Sequence, residues 1–155
     1  MREIKARAWH KKKRKMYLVG QMVLRYDGTI SAVTLIPLLD SNGGIHPEDV
    51  VYCSGKDVEL MLYIGQKDKN GKEIYEGDIV KIRAILVYER DTWDGESGEY
   101  AGRQQVEEEV ECIRVINSMH TLIYLLNPNW VDFEIEVIGN KYENPELLEG
   151  EINEI

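Results

Sequence analysis

Two turn signals stand close together in this chain, directly before its most regular strand pattern. Asn70-Gly71 is the first signal, and Glu76-Gly77-Asp78 is the second. From Ile79 onwards, apolar residues alternate with charged ones, which is the period of a half-buried β-strand. The side chains expected on the apolar face are Val80, Ile82, Ala84 and Leu86. The chain must therefore turn twice before it enters this strand.

The two turns have different predicted roles. Asn-Gly supplies the positive φ angles of a two-residue type I′ hairpin turn, so Asn70 and Gly71 are predicted to close a hairpin. Gly77 and Asp78 are predicted to redirect the chain into the next strand. A strand that leaves its predecessor at a steep angle is typical of a small barrel or of orthogonally packed sheets.

Further strand signals run along most of the chain, separated by turn residues. The predicted strands cover residues 4–9, 16–26, 29–35, 58–64, 105–116, 121–126 and 132–138. Short helical turns are predicted at residues 46–49 and 144–149, because each has a proline at the first helical position. The prediction is a mainly β fold, either small and barrel-like or built from orthogonally packed antiparallel sheets with short helical turns. A chain of 155 residues fits a single domain covering residues 1–155.

Residues 90–104 are polar, contain three glycines and show no periodicity. This composition predicts a long, mobile acidic loop at about residues 90–104. The alternative interpretation is that these residues form the tip of an extended hairpin.

Charge is unevenly distributed along the chain. Residues 1–20 carry eight basic side chains and one acid, whereas residues 86–112 carry nine acids and two basic side chains. These segments are expected to attract each other, within one molecule or between copies, and a homo-oligomer is the predicted outcome. The formal net charge of -9 argues against wholesale binding to nucleic acid or to an anionic membrane.

One basic turn is a candidate for partner binding. Trp9 precedes it and Tyr17 follows it, and its cations are Lys11, Lys12, Lys13, Arg14 and Lys15. Cations beside aromatic rings can bind phosphates and stack on bases, so nucleic acid is one candidate partner. A soluble hairpin tip, or one that docks on the acidic segment of a neighbouring subunit, is favoured over it because the whole chain is so negative.

Catalytic and metal-binding motifs do not emerge from the sequence. His10, His46 and His120 share no metal-site spacing with Cys53 or Cys112. The two cysteines are expected to be reduced thiols, with a disulfide between them as the alternative. We expect no catalytic residue, no metal and no cofactor, and therefore no enzyme, although the acids at 107–111 leave an unrecognised carboxylate site as a third hypothesis.

The sequence also does not indicate a calcium-binding loop, a signal peptide or a membrane-spanning segment. Residues 66–77 fail as a calcium loop, because Gln66 and Gly77 occupy the positions that need acidic ligands. The N-terminal residues lack the apolar core of a signal peptide, and no apolar stretch is long enough to cross a bilayer. A cytoplasmic protein that does not contact a membrane is the expectation.

Three sequence blocks resemble the YopX family of bacteriophage and prophage proteins. They are Ile-Lys-Ala-Arg-Ala-Trp at 4–9 with Lys-Met-Tyr at 15–17, the block from Tyr-Ile-Gly-Gln to Gly-Asp-Ile-Val at 63–80, and Val-Ile-Gly-Asn to Glu-Leu-Leu at 137–148. His10 and residues 62–65 depart from the family pattern. The resemblance implies a mainly β fold, a phage or prophage origin in a bacterial host cell, and a homo-oligomer. It attaches no catalytic residue to these positions.

The resulting functional hypothesis is a non-enzymatic, phage- or prophage-encoded interaction or assembly protein. Its expected partners are further copies of itself and a host or phage protein. The alternative is a nucleic-acid-binding accessory protein that uses the basic turn at 11–15.

Overall fold

The computed structural model describes residues 5–38, 46–117 and 129–149. About 65% of these residues lie in strands and 8% in helical turns, which confirms the mainly β prediction. The strands form two antiparallel sheets, and neither closes into a barrel among the described residues, so the barrel-like version of the prediction is not realised. The predicted strand at 121–126 and His120 lie outside the described residues.

The chain divides into two compact units, and the first comprises Met1–Gln66 and Glu73–Gly77. Its sheet is formed by β1 (Ala6–His10), β2 (Lys15–Leu24), β3 (Ile30–Pro37), β4 (Val51–Ser54), β5 (Val58–Lys67) and β6 (Glu73–Tyr75). The strand order is β4-β3-β2-β1-β5-β6. Short 3-10 helices at Pro47–Asp49 and Gly55–Asp57 flank β4, and the first confirms the helical turn predicted there.

The core of the first unit follows from alternation along its strands. Ala8, Tyr17, Val33, Leu35 and Val58 form one buried cluster. Because successive side chains of a strand point to opposite faces, the two members on β3, Val33 and Leu35, are two residues apart. Half-buried apolar side chains pack around the cluster, namely Val19, Met22, Ile30, Val51, Cys53 and Leu60.

The second unit comprises Lys67–Lys72 and Asp78–Ile155. Its sheet has the order β8-β7-β9, with β7 at Asp78–Trp93, β8 at Tyr100–Val115 and β9 at Trp130–Asn140. A 3-10 helix at Pro145–Leu148 follows, as predicted from the proline. The apolar face of β7 is buried at Val80, Ile82 and Ala84, which confirms the alternation seen in the sequence.

The chain passes between the two units three times. It leaves the first unit after Gln66, returns to it at Glu73 and leaves it again after Gly77. The segment with the two turn signals is therefore shared between the units. The assignment of residues 1–155 to a single domain remains a prediction.

The bounds of the predicted loop at 90–104 are wrong. β7 continues to Trp93 and β8 begins at Tyr100, so only the tip between them is a turn. The two strands stay paired along this stretch, with Arg90 opposite Gln104 and Asp91 opposite Arg103, and their register shifts once, between Thr92 and Trp93. Continuous backbone pairing therefore overrides the polar, glycine-rich composition, and the extended hairpin is the structure adopted.

The two-residue turn predicted at Asn70-Gly71 is also wrong, and the hairpin at Asp27-Gly28 has the same geometry as the turn found there. Gly28 and Gly71 have φ angles of 82° and 81°, but neither Asp27 nor Asn70 has a positive φ. Each hairpin instead has a three-residue connection with glycine last, which is the arrangement of a G1 bulge. The amide of Asp68 donates to the carbonyl of Lys72 at 2.8 Å and closes the turn that contains Gly71.

Candidate functional site

The basic turn connects β1 to β2 and is held by His10. The backbone amide of Arg14 donates to the carbonyl of His10 at 2.8 Å, and the amide of Lys13 donates to His10 Nδ1 at 3.4 Å. The His10 ring is buried, with its centroid 6.4 Å from that of Tyr17. Arg14 adopts a φ of 51°, a conformation that favours glycine. A buried histidine thus fixes a turn whose tip is entirely basic.

Not all the cations of the turn are available to a partner. Lys11 Nζ lies 2.9 Å from a carboxylate oxygen of Glu59 and donates to the carbonyl of Lys56 at 3.0 Å. The ammonium of Lys15 lies 5.6 Å from the centroid of the Tyr17 ring. The exposed tip consists of Lys12, Lys13 and Arg14, whose side chains form no ion pair with any residue that the structure describes.

Trp9 does not belong to this exposed tip. It is half-buried on β1, opposite Met16 of β2 and Glu59 of β5. Since Trp9 and His10 are adjacent on a strand, their side chains point to opposite faces of the sheet. The structure therefore separates Trp9 from the ring of Tyr17, which the sequence placed with it.

A groove lies beside the basic turn in the first unit. It encloses about 350 Å³ and carries both charge and apolar surface. Its lining residues are Lys13, Lys15, Tyr17, Pro37, Leu38, His46, Glu48, Asp49 and Val51. Leu38 is 46% exposed. The groove thus places two ammonium groups next to apolar side chains.

The second unit carries a two-stranded arm, which we define as residues 88–106. The pairing of β7 with β9 stops at Leu86 opposite Trp130, whereas its pairing with β8 continues to Trp93 opposite Tyr100. Arg103 bridges two acids on the arm, at 3.3 Å from Glu89 and 3.2 Å from Asp91. Beyond Leu86, β7 and β8 therefore pair with each other and with no other strand among the residues that the structure describes.

The tip of the arm is acidic and aromatic. Asp94 caps the turn by accepting hydrogen bonds from the amides of Ser97 and Glu96, each at 2.8 Å, and these bonds hold the pKa of its carboxyl below the usual value. Directly below the turn, the rings of Trp93 and Tyr100 meet edge to face with centroids 5.6 Å apart. Trp93 is 64% exposed and Tyr100 is 54% exposed. This aromatic pair was not among the predicted site residues, although Trp93 and Tyr100 flank a polar segment with two glycines in the sequence.

The acids at the base of β8 are partly neutralised. Glu111 accepts from Lys81 at 2.7 Å and from Arg83 at 2.6 Å, and these two partners lower the pKa of Glu111. An open cleft of about 820 Å³ lies on the same sheet, with Glu107, Glu109 and Asp132 among its lining residues. No group of His, Cys, Asp and Glu side chains within the described part of the chain is arranged to hold a metal ion.

The predicted turn residues occupy structural positions. Gly77 has a φ of 84°, and Asp78 is buried, with its carbonyl accepting from the amide of Ile116 at 2.8 Å. Gly71 lies in the turn that Asp68 organises: one carboxylate oxygen of Asp68 accepts from the amides of Asn70 at 2.8 Å and Lys72 at 2.9 Å. From the sequence, Asp68 was considered only within a calcium loop, although an aspartate that starts a turn commonly accepts a hydrogen bond from the backbone two residues on.

Comparison with known proteins gives one family match. The family model described as YopX protein matches residues 5–149. Among solved structures, the chain is similar to the crystal structure of protein EF1440 from Enterococcus faecalis, with 24% sequence identity and a TM-score of 0.48. The similarity covers 96% of this chain and 99% of that one. No curated protein matches the chain. Among the described residues, no helix is long and apolar enough to cross a membrane.

Proposed function

The chain belongs to the YopX protein family. On this basis we propose that it is a non-enzymatic interaction or assembly protein encoded by a phage or prophage. It acts in the cytoplasm of the bacterial host by associating with further copies of itself, and the assembly presents a surface to a host or phage protein.

The two-stranded arm carries this proposal. A two-stranded ribbon is marginally stable by itself in water, so one that extends beyond its sheet gains from contact with a partner. Trp93 and Tyr100 stand exposed at its tip, and tryptophan and tyrosine are enriched in the energetic centres of protein interfaces. These two rings are the apolar anchors that an assembly contact requires.

Charge supports association between copies. Lys12, Lys13 and Arg14 are exposed on the first unit, while Glu96 and Glu99 are exposed on the arm of the second unit. Opposite potentials on two surfaces accelerate encounter and select the correct partner. Most soluble homo-oligomers close with point-group symmetry, so we expect an assembly of fixed size.

Light scattering coupled to size-exclusion chromatography, over a range of protein concentrations, tests the proposal. We expect the mass of an oligomer, a whole-number multiple of the monomer mass of 17.9 kDa that is greater than one. This mass is expected to decrease at high salt, because screening weakens contacts between exposed charges. A matched variant replaces residues 88–106 with Asn-Gly, joining Val87 to Glu107, and is expected to be monomeric with its remaining sheets intact by circular dichroism. A wild-type mass of 17.9 kDa at every concentration would contradict the proposal.

Nucleic-acid binding by the basic turn is the second candidate, and Lys12, Lys13 and Arg14, which form no ion pair within the described part of the chain, favour it. Since Lys11 is engaged by Glu59, four cations remain for phosphates. They set an upper salt slope of about -3.6 on duplex DNA, at about -0.9 for each phosphate. Contacts of this kind carry little base information, so the binding would be weak and largely independent of sequence.

One variant separates the two candidates. Lys12→Glu, Lys13→Glu, Arg14→Glu is expected to reduce oligomer size and to leave oligonucleotide affinity negligible, as in the wild type. The control reverses the same number of exposed cations elsewhere, with Arg25→Glu, Lys67→Glu, Lys141→Glu. Unchanged oligomer size with loss of measurable oligonucleotide binding would favour the nucleic-acid function instead.

A further inference from the structure

Building on the proposed function, we infer that the tip of the arm of one copy binds in the groove beside the basic turn of a second copy. The ligand of the groove is thus an acidic, aromatic hairpin tip belonging to this same chain.

The tip has the chemistry of a compact anionic ligand. Asp94, Glu96 and Glu99 lie within the turn, and no cation lies between Trp93 and Tyr100. Glu96 and Glu99 are exposed and form no ion pair with a residue that the structure describes. Their charges are therefore uncompensated within the described chain, while the two rings beneath them offer apolar surface to a partner.

The groove offers the complementary groups. Lys13 and Lys15 supply ammonium groups, and Tyr17, Pro37 and Leu38 supply apolar walls. Its volume of about 350 Å³ is at the low end of the range for ligand sites, roughly 300–1,000 Å³, so it accommodates individual side chains of a partner's tip and not a folded surface. Leu38 is exposed there and would lose contact with water when an aromatic ring covers it.

Two acids also line the groove and limit what it accepts. Glu48 and Asp49 are both exposed, and His46 Nδ1 lies 3.8 Å from a carboxylate oxygen of Glu48. Lys13 and Lys15 balance these two acids in the lining, and Lys12 and Arg14 of the adjoining turn add two further cations. A ligand that combines acids with aromatic rings fits this mixture better than a bare polyanion, whose repeated charges would meet Glu48 and Asp49.

The larger cleft of the second unit is not an alternative receptor for the tip. Glu107, Glu109 and Asp132 line it, and they carry the same sign of charge as Asp94, Glu96 and Glu99. Like charges brought together across an interface oppose binding. Of these two cavities, the groove beside the basic turn has both cations for the acids of the tip and apolar walls.

Charge reversal on each side tests whether these two surfaces meet. The arm variant is Glu96→Lys, Glu99→Lys, and the groove variant is Lys13→Glu, Lys15→Glu. Each alone is expected to weaken self-association by about tenfold, because two exposed pairs become repulsive. The chain that carries all four changes is expected to recover wild-type association, since opposite charges face each other again.

A further variant tests the aromatic contact. Trp93→Ala, Tyr100→Ala removes both exposed rings without touching the charges, and it is expected to weaken self-association while thermal unfolding stays close to that of the wild type. Measuring thermal unfolding for every variant separates a lost contact from a lost fold.

The outcomes distinguish the inference from the function on which it rests. A monomeric wild type would overturn both. Self-association that neither charge variant alters would leave the proposed function standing and overturn the arm-to-groove contact. If both charge variants weaken self-association and the variant with all four changes does not recover it, the arm-to-groove contact is also overturned, since the two surfaces would then bind different partners. Recovery in the fourfold variant supports the contact directly.

Discussion

The carboxylate of Asp68 accepts a hydrogen bond from the backbone amide of Val137, 69 residues further along the chain, at 3.0 Å. The amide of Lys69 donates to the carbonyl of Ile135 at 2.9 Å. The turn after β5 therefore occupies the edge of β9 that does not pair with β7. Unpaired strand edges are templates for association with other chains, and this edge is covered by the protein's own turn.

Replacement of Asp68 by alanine is expected to destabilise the protein strongly. The change leaves the amides of Asn70, Lys72 and Val137 without their acceptor, and the expected loss is about 2–4 kcal/mol of unfolding free energy. Asp27→Ala is the matched control, because the Asp27 carboxylate accepts from the amide and the hydroxyl of Thr29 within its own exposed turn. Denaturant unfolding measures both, and equal, small losses would show that the bond to β9 contributes little.

The same carboxylate predicts a dependence of stability on pH. Burial by itself raises the pKa of Asp68, but hydrogen bonds from the amides of Val137, Lys72 and Asn70 outweigh it and leave the pKa below its usual value. A pKa lowered by folding gives stability that is present above the unfolded value, about 3.9, and is lost as the pH falls through the folded value.

We therefore expect the unfolding free energy of the wild type to fall more steeply than that of Asp68→Asn below about pH 4. Part of the slope should remain in the variant, because Glu111, Glu136 and Asp94 also have lowered pKa values. Urea unfolding over a series of acidic buffers measures the two slopes. Parallel pH profiles would mean that Asp68 does not contribute to acid sensitivity.

Gly77→Val is expected to destabilise the protein by roughly 1–3 kcal/mol, because a β-branched residue is strained at the φ of 84° found there. Gly95→Val at the arm tip provides the control, since its φ is not positive and no atom lies near its added Cβ. Melting temperatures compare the two. Similar, minor shifts for both variants would show that the turn before β7 adapts without cost.

Arg14→Gly is expected to raise the unfolding free energy by roughly 0.5 kcal/mol, because relief of left-handed strain exceeds the added entropy of the unfolded chain. Lys12→Gly removes the same charge from the same turn at a residue whose φ is not positive, and it should lower stability instead. Differential scanning calorimetry resolves the sign. A loss of stability in both variants would contradict the role assigned to the φ of Arg14.

The local sequence pattern was sufficient to predict part of the fold. The alternation from Ile79 predicted the buried face of β7, because each residue's exposure follows from its place in a strand. Gly77 was singled out from sequence for the same local reason: few residues other than glycine tolerate such a turn.

Contacts between distant residues explain what the sequence did not predict. Residues 90–104 have a loop-like composition, but Thr92 Oγ1 donates to the carbonyl of Gly102 at 3.0 Å and Arg103 pairs with Asp91. The basic turn has five cations in the sequence, yet Lys11 is engaged by Glu59 of a neighbouring strand. Asp68 was weighed only as a calcium ligand, because its acceptor role depends on β9.

The path of the chain between the two units limits how a gene for this protein can be divided. A fragment ending at Gln66 lacks β6, and a fragment starting at Asp78 lacks Asp68 and with it the turn that covers β9. No single breakpoint therefore yields two complete units. Recombination that exchanges one unit for a foreign version must also carry residues 67–77 in matching form, so the two units are expected to be inherited together rather than shuffled as independent modules.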